Sequence, residues 1–305
     1  MSRVVAVVDC GTNSVRLLVL RRGDDGAIEE LTRQTRLARL GQGVDATGRF
    51  HPDALERTFA VLDEYAGLIG HLGADEVRFV ATSAARDVSN RDLLEDGVRA
   101  RLGVEVDVIS GDEEARLSAA GVLSGVTSPR PTLIFDIGGG STELVVVGVD
   151  GAVASAVSLD IGAVRIKERF LPTEPPTEAE QRAAREFIVS QLDGSGTDFS
   201  RVASAIGVAG TVTSVAAHHL GLVEYSRAAV HGTVLSDSVI DAASEGWLAQ
   251  TADEIALQPL LEPLRAAVIG AGSMILAEIC RRVPAREISV SESDILDGIA
   301  QELLG

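Results

Sequence analysis

Lysine is almost missing from this chain: Lys167 stands alone, and arginine carries the rest of the positive charge. Aromatic residues make up only 3%, so any core must be built mostly from Val, Leu, Ile and Ala. The two cysteines, Cys10 and Cys280, lie far apart in sequence. With no CxxC pair, a disulfide framework and a cysteine metal site are both unsupported. HExxH, EF-hand, GxSxG, GxxxxGK[ST] and dinucleotide-fingerprint motifs are absent, which removes zincin, calcium-loop, serine-hydrolase, P-loop and Rossmann readings. The apolar stretch Ala266 to Ala277 is too short to span a bilayer and runs into Glu278. MSRVVAVV has no charged leader ahead of an apolar stretch and cleavage site, so no signal peptide is expected and a reducing cytoplasm fits. Net positive charge is lacking as well. The formal charge of -18 argues against a nucleic-acid or membrane surface. A polyanionic ligand must then meet a local positive patch or metal ions.

What is present is a glycine-rich centre. In TLIFDIGGGSTELVVV, Thr132 to Val147, two apolar runs flank Asp136, Ile137, Gly138, Gly139, Gly140, Ser141, Thr142 and Glu143. The pattern reads as a β-hairpin with a tight turn. Glycines there allow φ > 0 and close approach to a ligand. Successive N–H groups in such a turn form a concave anion site, to which Ser141 and Thr142 add hydroxyls. Flanking carboxylates make sense beside an anion if Mg²⁺ sits between. A glycine-rich hairpin without ligand is the plainer alternative.

The N-terminus repeats the unit. Shifting VVAVVDCGTNSVRLLVL by 127 positions puts Asp9 on Asp136, Gly11 on Gly138, Ser14 on Ser141 and Leu17 on Leu144. Two copies suggest a duplicated fold with one turn per half. The remaining pattern alternates strands and amphipathic helices, an α/β layout. Examples are a helix from Pro52 to Ile69, a strand over 77–81, and a helix over 91–102 capped by Asn90. Leu40 to Gly48 reads as a loop. Thr177 and Glu180 stand at capping-box spacing for a helix over 177–192. Further helices are expected over 212–220, 236–248, 251–261, 264–282 and 295–304. TSPRP at 127–131 is the best linker, which divides the chain into domains 1–127 and 128–305. The final helix, about 295–305, is expected to pack back on the first domain.

Three sets of residues suit chemistry. ISGDEEAR, 109–116, places Asp112, Glu113 and Glu114 in the first turn of a helix, where the dipole favours acids even without function. In the functional reading one of them orients and deprotonates a water, its basicity raised by the neighbouring carboxylates. Arg86, Arg91, Arg165, Lys167, Arg169, Arg227 and His231 form the basic set, and Arg86 follows a strand end. GVAGTVT offers a strand–helix junction with Gly210 and Thr211 at an anion-binding helix start, or a purely structural junction. Asp9, Asp136 and Glu143 are oxygen ligands only, so Mg²⁺ is the expected metal, with Mn²⁺ a substitute.

These motifs together resemble the exopolyphosphatase and guanosine pentaphosphate phosphohydrolase (Ppx/GppA) family. The matching stretches are DCGTNSVRLLV, ATSAARDVSN, ISGDEEARL, DIGGGSTEL, DIGAVRIKERF, GVAGTVTS and VHGTVLS. The resemblance implies a two-domain, duplicated ribonuclease H-like fold of the actin-like ATPase, sugar-kinase and Hsp70 type, with an interdomain cleft. It implies Glu114 as catalytic base and Asp136, Glu143 and Asp9 as the acids that hold Mg²⁺ or place the water. Arg86, Asn13, Ser14 and Gly138 to Thr142 are implied as phosphate contacts. The implied substrate is inorganic polyphosphate, with guanosine pentaphosphate (pppGpp) or another nucleoside polyphosphate as the alternative. A same-fold phosphotransferase and a non-catalytic phosphate-chain sensor are rival classes. Larger members continue into helical domains, so short chains are the implied preference. A homodimer is implied as well.

Overall fold

The computed structural model describes residues 2–305. It divides into two units, one running to Gly121 and including Ile295–Gly305, the other Val122–Asp294. The division thus falls at 121/122 rather than at 127/128, and the final helix is counted with the first unit.

The first unit holds strands β1 (Arg3–Cys10), β2 (Ser14–Arg22), β3 (Ile28–Leu37), β4 (Glu76–Ala81) and β5 (Val106–Val108) in the order β3-β2-β1-β4-β5. The second holds β6 (Thr132–Ile137), β7 (Thr142–Val147), β8 (Val153–Leu159), β9 (Ser204–Val208), β10 (Val234–Ser236) and β11 (Glu287–Val290). Its order is β10-β11-β9-β6-β7-β8. With β6, β7, β8, β9 and β11 set against β1 to β5, the orders match. So do the directions: two antiparallel pairs, then two parallel ones. The fold is α/β and duplicated, with β10 an added edge strand in the second copy.

The central strand of the first unit explains why the final helix returns. Side chains alternate across a strand. Val4, Ala6 and Val8 enter one core with Leu62, Tyr65, Leu94 and Val98 from two helices, Pro52–Leu72 and Asp92–Leu102. Val5 and Val7 enter another, with Leu117, Ile295, Leu296 and Ile299. A sheet apolar on both faces needs covers on both faces. The helix Ile295–Leu304 is part of the second cover. Each buried Leu or Ile is worth about 1.5–3 kcal/mol. Of the ion pairs that also hold this helix, Arg78–Glu302 at 2.8 Å is partly exposed and worth about 0–1 kcal/mol, and Arg33–Asp297 at 2.6 Å is largely buried, where desolvation offsets much of the attraction. Packing therefore dominates.

Several local expectations change. Asn90 does not cap a helix. Its amide brackets Phe50, accepting from Phe50 N at 2.8 Å and donating to Phe50 O at 3.2 Å, and Arg91 is the cap residue. The 40–48 loop contains one helical turn, Val44–Thr47. The helix expected over 251–261 is a single turn, Ala252–Ile255, because Pro259 cannot continue it. The capping box of Thr177 and Glu180 is present at the start of Glu178–Gly194. The apolar stretch at 266–277 is part of a 20-residue helix, Pro263–Arg282, long and apolar enough to cross a membrane by composition. Its most apolar window is 78% buried inside the structure, as suits a core helix. Both cysteines are free and buried.

Two glycines test this packing. A Cβ on Gly298 would lie 2.0 Å from the Leu117 carbonyl oxygen, backbone that cannot swing aside. Gly298→Ala is expected to destabilise the chain by about 1–3 kcal/mol or more. Gly67, within Pro52–Leu72, meets nothing within 4 Å. Gly67→Ala is expected to stabilise by about 0.4–1 kcal/mol. Urea unfolding of both variants reads the two signs.

Candidate active site

The turn at 138–141 is built by what grips it from behind. Gly138 N donates to Ser141 O at 3.0 Å and closes the hairpin. The start of the helix Ala163–Phe170 then takes the turn's carbonyls: Ala163 N donates to Gly138 O at 2.9 Å and Val164 N to Gly139 O at 2.8 Å. Arg165 Nε donates to Gly140 O at 2.8 Å. Gly162 allows this approach, since a Cβ there would lie 2.4 Å from the Gly139 carbonyl. These peptides are trans, so each N–H opposes the carbonyl before it. The amides of Gly139 and Gly140 therefore point away from the helix, side by side, as an anion cradle requires. None of the three glycines takes a positive φ. The close approach falls at Gly162, and a Cβ on Gly138 would lie 3.2 Å from Ser141 O.

The first turn repeats this. Gly11 N donates to Ser14 O at 2.9 Å. Gly41 N donates to Thr12 O at 2.9 Å, and Ala38 N and Arg39 N to Asn13 O at 3.1 and 2.9 Å. The Asn13 amide consequently faces away from this bracing segment. Thr12 Oγ1 and Asn13 Oδ1 are buried without a hydrogen-bond partner among the described residues. Buried polar atoms are normally bonded, so the turn retains capacity toward a ligand.

Asp136 and Glu143 are direct cross-strand partners and share a face of the sheet. Both are buried, at 7% and 1% exposure. Ser158 Oγ on β8 donates to Glu143 Oε1 at 2.7 Å. Asp9 is held differently: Arg16, its own cross-strand partner, places Nε at 2.9 Å and Nη2 at 2.5 Å from Asp9 Oδ2. Among the described residues no three His, Cys, Asp or Glu side chains gather. The donor set for a metal is thus two buried carboxylates on one turn. That fits Mg²⁺, which takes one or two carboxylates and completes its shell with water and substrate phosphate.

Among the three acids at 112–114, Asp112 and Glu113 are exposed and Glu114 is half-buried. A cation stands beside it: Arg86 Nη1 donates to Glu114 Oε2 at 2.8 Å and to Ile109 O at 3.1 Å. Arg86 closes a short helix, Ser83–Arg86, after β4. Arg91 braces that helix, with Nε 2.8 Å from Ala85 O. Arg86 thus orients Glu114.

The other expected residues meet these neighbours. Thr142 is fully buried, and its hydroxyl proton is given to Ile161 O at 2.5 Å. Thr211 is buried, and a Cβ on Gly272 would lie 2.5 Å from its hydroxyl. Gly210 abuts the Arg265 guanidinium, where a Cβ would meet Nη1 at 2.0 Å. Lys167 bonds Leu171 O at 2.7 Å and pairs with Glu174 at 3.1 Å. Arg227 pairs with Glu292 at 3.1 Å, and His231 Nδ1 accepts from Glu292 N at 3.1 Å. Arg16 and Ser158 were not singled out from the sequence. The seven-residue spacing across each hairpin, Asp9 to Arg16 and Asp136 to Glu143, was the signal for the first.

The Ppx/GppA phosphatase family model matches residues 19–305. Exopolyphosphatase 2 of Mycobacterium tuberculosis is 40% identical, over 99% of this chain and 98% of its own length. A solved exopolyphosphatase-like protein superposes with a TM-score of 0.93 at 38% identity, covering 98% of both chains. The Ppx/GppA family member of Aquifex aeolicus follows at 0.82 and 31%, covering 100% of this chain and 98% of that one. With its duplicated sheets, its glycine turns and this likeness along its whole length, the chain belongs to the Ppx/GppA phosphatase family.

Proposed function

We propose that the chain is an exopolyphosphatase that hydrolyses the terminal phosphate of inorganic polyphosphate, with Mg²⁺ as the metal and Mn²⁺ as its substitute. The observation that carries this reading is an amide cradle and two buried carboxylates on the same turn. One binds an anion and the other a cation, the combination that a metal-chelated phosphate presents. The relative named exopolyphosphatase 2 supports the same substrate class.

Asp136 and Glu143 would hold the cation, and Ser158 fixes the direction of the Glu143 carboxylate. When bound, the cation neutralises charge on the phosphoryl oxygens. The amides of Gly139 and Gly140 bind the phosphate oxygens. Glu114, oriented by Arg86, takes a proton from water as its oxygen attacks phosphorus. The new P–O bond forms as the bridging P–O bond breaks, and the shortened chain leaves as the anion.

Phosphate release across a polyphosphate length series tests this reading. Release is expected with Mg²⁺ and none with EDTA. Glu114→Gln is expected to lower kcat by about 10²–10⁴-fold with tripolyphosphate binding retained. Retained turnover in that variant removes the assigned base. Arg86→Ala is expected to lower kcat by about 10²-fold by misplacing Glu114. Faster turnover of guanosine pentaphosphate than of any polyphosphate reassigns the substrate, and tight binding without release identifies a sensor.

A further inference from the structure

Duplication supplies an internal control for the metal site. Across three neighbouring strands the second copy presents Asp136, Glu143 and Ser158 in register. The first copy presents Asp9, Arg16 and Thr35 in the same register. Asp9 and Asp136 are both buried, and both stand at the end of the first strand of a hairpin. The copies differ at the middle place: a carboxylate in one, a guanidinium in the other. The second turn places two carboxyl groups on one buried face. The first places a carboxyl group and a guanidinium there, joined by two hydrogen bonds to Asp9 Oδ2.

We propose that Arg16 is the first turn's built-in cation. Its guanidinium does for Asp9 what a divalent ion would do for Asp136 and Glu143, so the metal belongs to the second turn alone and Asp9 is not a ligand. This rests on the reading that the second turn holds a cation. A divalent ion coordinated by Asp9 would lie against a guanidinium, and like charges this close repel in a buried setting. An arginine cannot lose its proton to make room. The arrangement also gives a chain of net charge -18 a fixed positive group beside a glycine turn, at no dependence on free metal.

Mn²⁺ binding to the full chain, followed by the electron paramagnetic resonance of the unbound ion, separates the two turns. Wild type is expected to bind one ion. Asp9→Asn is expected to hold it with an affinity within about twofold of wild type, while Glu143→Gln weakens it by about tenfold or more. Arg16→Glu copies the second turn's charge pattern into the first and is expected to bind a second ion. If that variant does not fold by circular dichroism, the Asp9 and Glu143 variants decide. Tenfold weakening in Asp9→Asn, alongside a weakened Glu143→Gln, overturns the assignment of Arg16 and leaves the second turn's cation standing. A wild-type chain that binds no Mn²⁺, or a Glu143→Gln that binds it normally, removes the cation reading and this inference with it.

Discussion

Two carboxylates facing each other across one buried hairpin set the terms for the rest of the second unit. Cross-strand neighbours lie about 5 Å apart. At an effective dielectric near 20, two like charges at that distance repel by about 3 kcal/mol. The groups packed around the pair offset such a cost. Ser158 returns part, through one hydrogen bond to Glu143. A neutral hydrogen bond contributes about 0.5–1.5 kcal/mol net, and one to a charged group about 1.5–3 kcal/mol. A divalent ion held between the pair reverses the sign of the interaction altogether. The matched Asp9–Arg16 pair shows the same backbone carrying a carboxylate and a guanidinium in those two places.

The amide cradle depends on a second constraint, imposed from outside the turn. A glycine turn by itself does not decide which way its peptides face. In the second unit the helix Ala163–Phe170 draws the carbonyls of Gly138 and Gly139 toward its own N-terminus, and Arg165 takes the next one. In the first unit the segment at 38–41 does the same to Thr12 and Asn13. Each bracing segment also satisfies its own N–H groups in the process. Outward-facing amides on one side of the turn and helix or loop capping on the other are one arrangement of the same peptide planes.

Much of this could be read from the residues. The 127-residue shift exposed the duplication because strand–turn–strand units keep their spacing when copied. The capping box at Thr177 was visible because it is local. What could not be read were contacts set by distant partners. Asn90 has the composition of a cap, yet its amide is spent on Phe50, 40 residues away. Thr142 has the composition of a phosphate donor, yet the fully buried side chain is turned to Ile161. The glycines of the main turn suggested positive φ, which none of them takes, whereas the tight approach to the turn is made by Gly162. Among three adjacent acids, only the one that meets Arg86 is half-buried, and Arg86 lies 28 positions away.

The Arg86–Glu114 pair bears on what the proposed reaction asks of its base. The transition state of phosphoryl transfer is loose, with charge spread over the peripheral oxygens, and catalysis comes mostly from positioning and electrostatics. In the proposed role, a carboxylate pinned in direction by Arg86, itself hydrogen-bonded to the Ile109 carbonyl, serves that chemistry better than one free to turn.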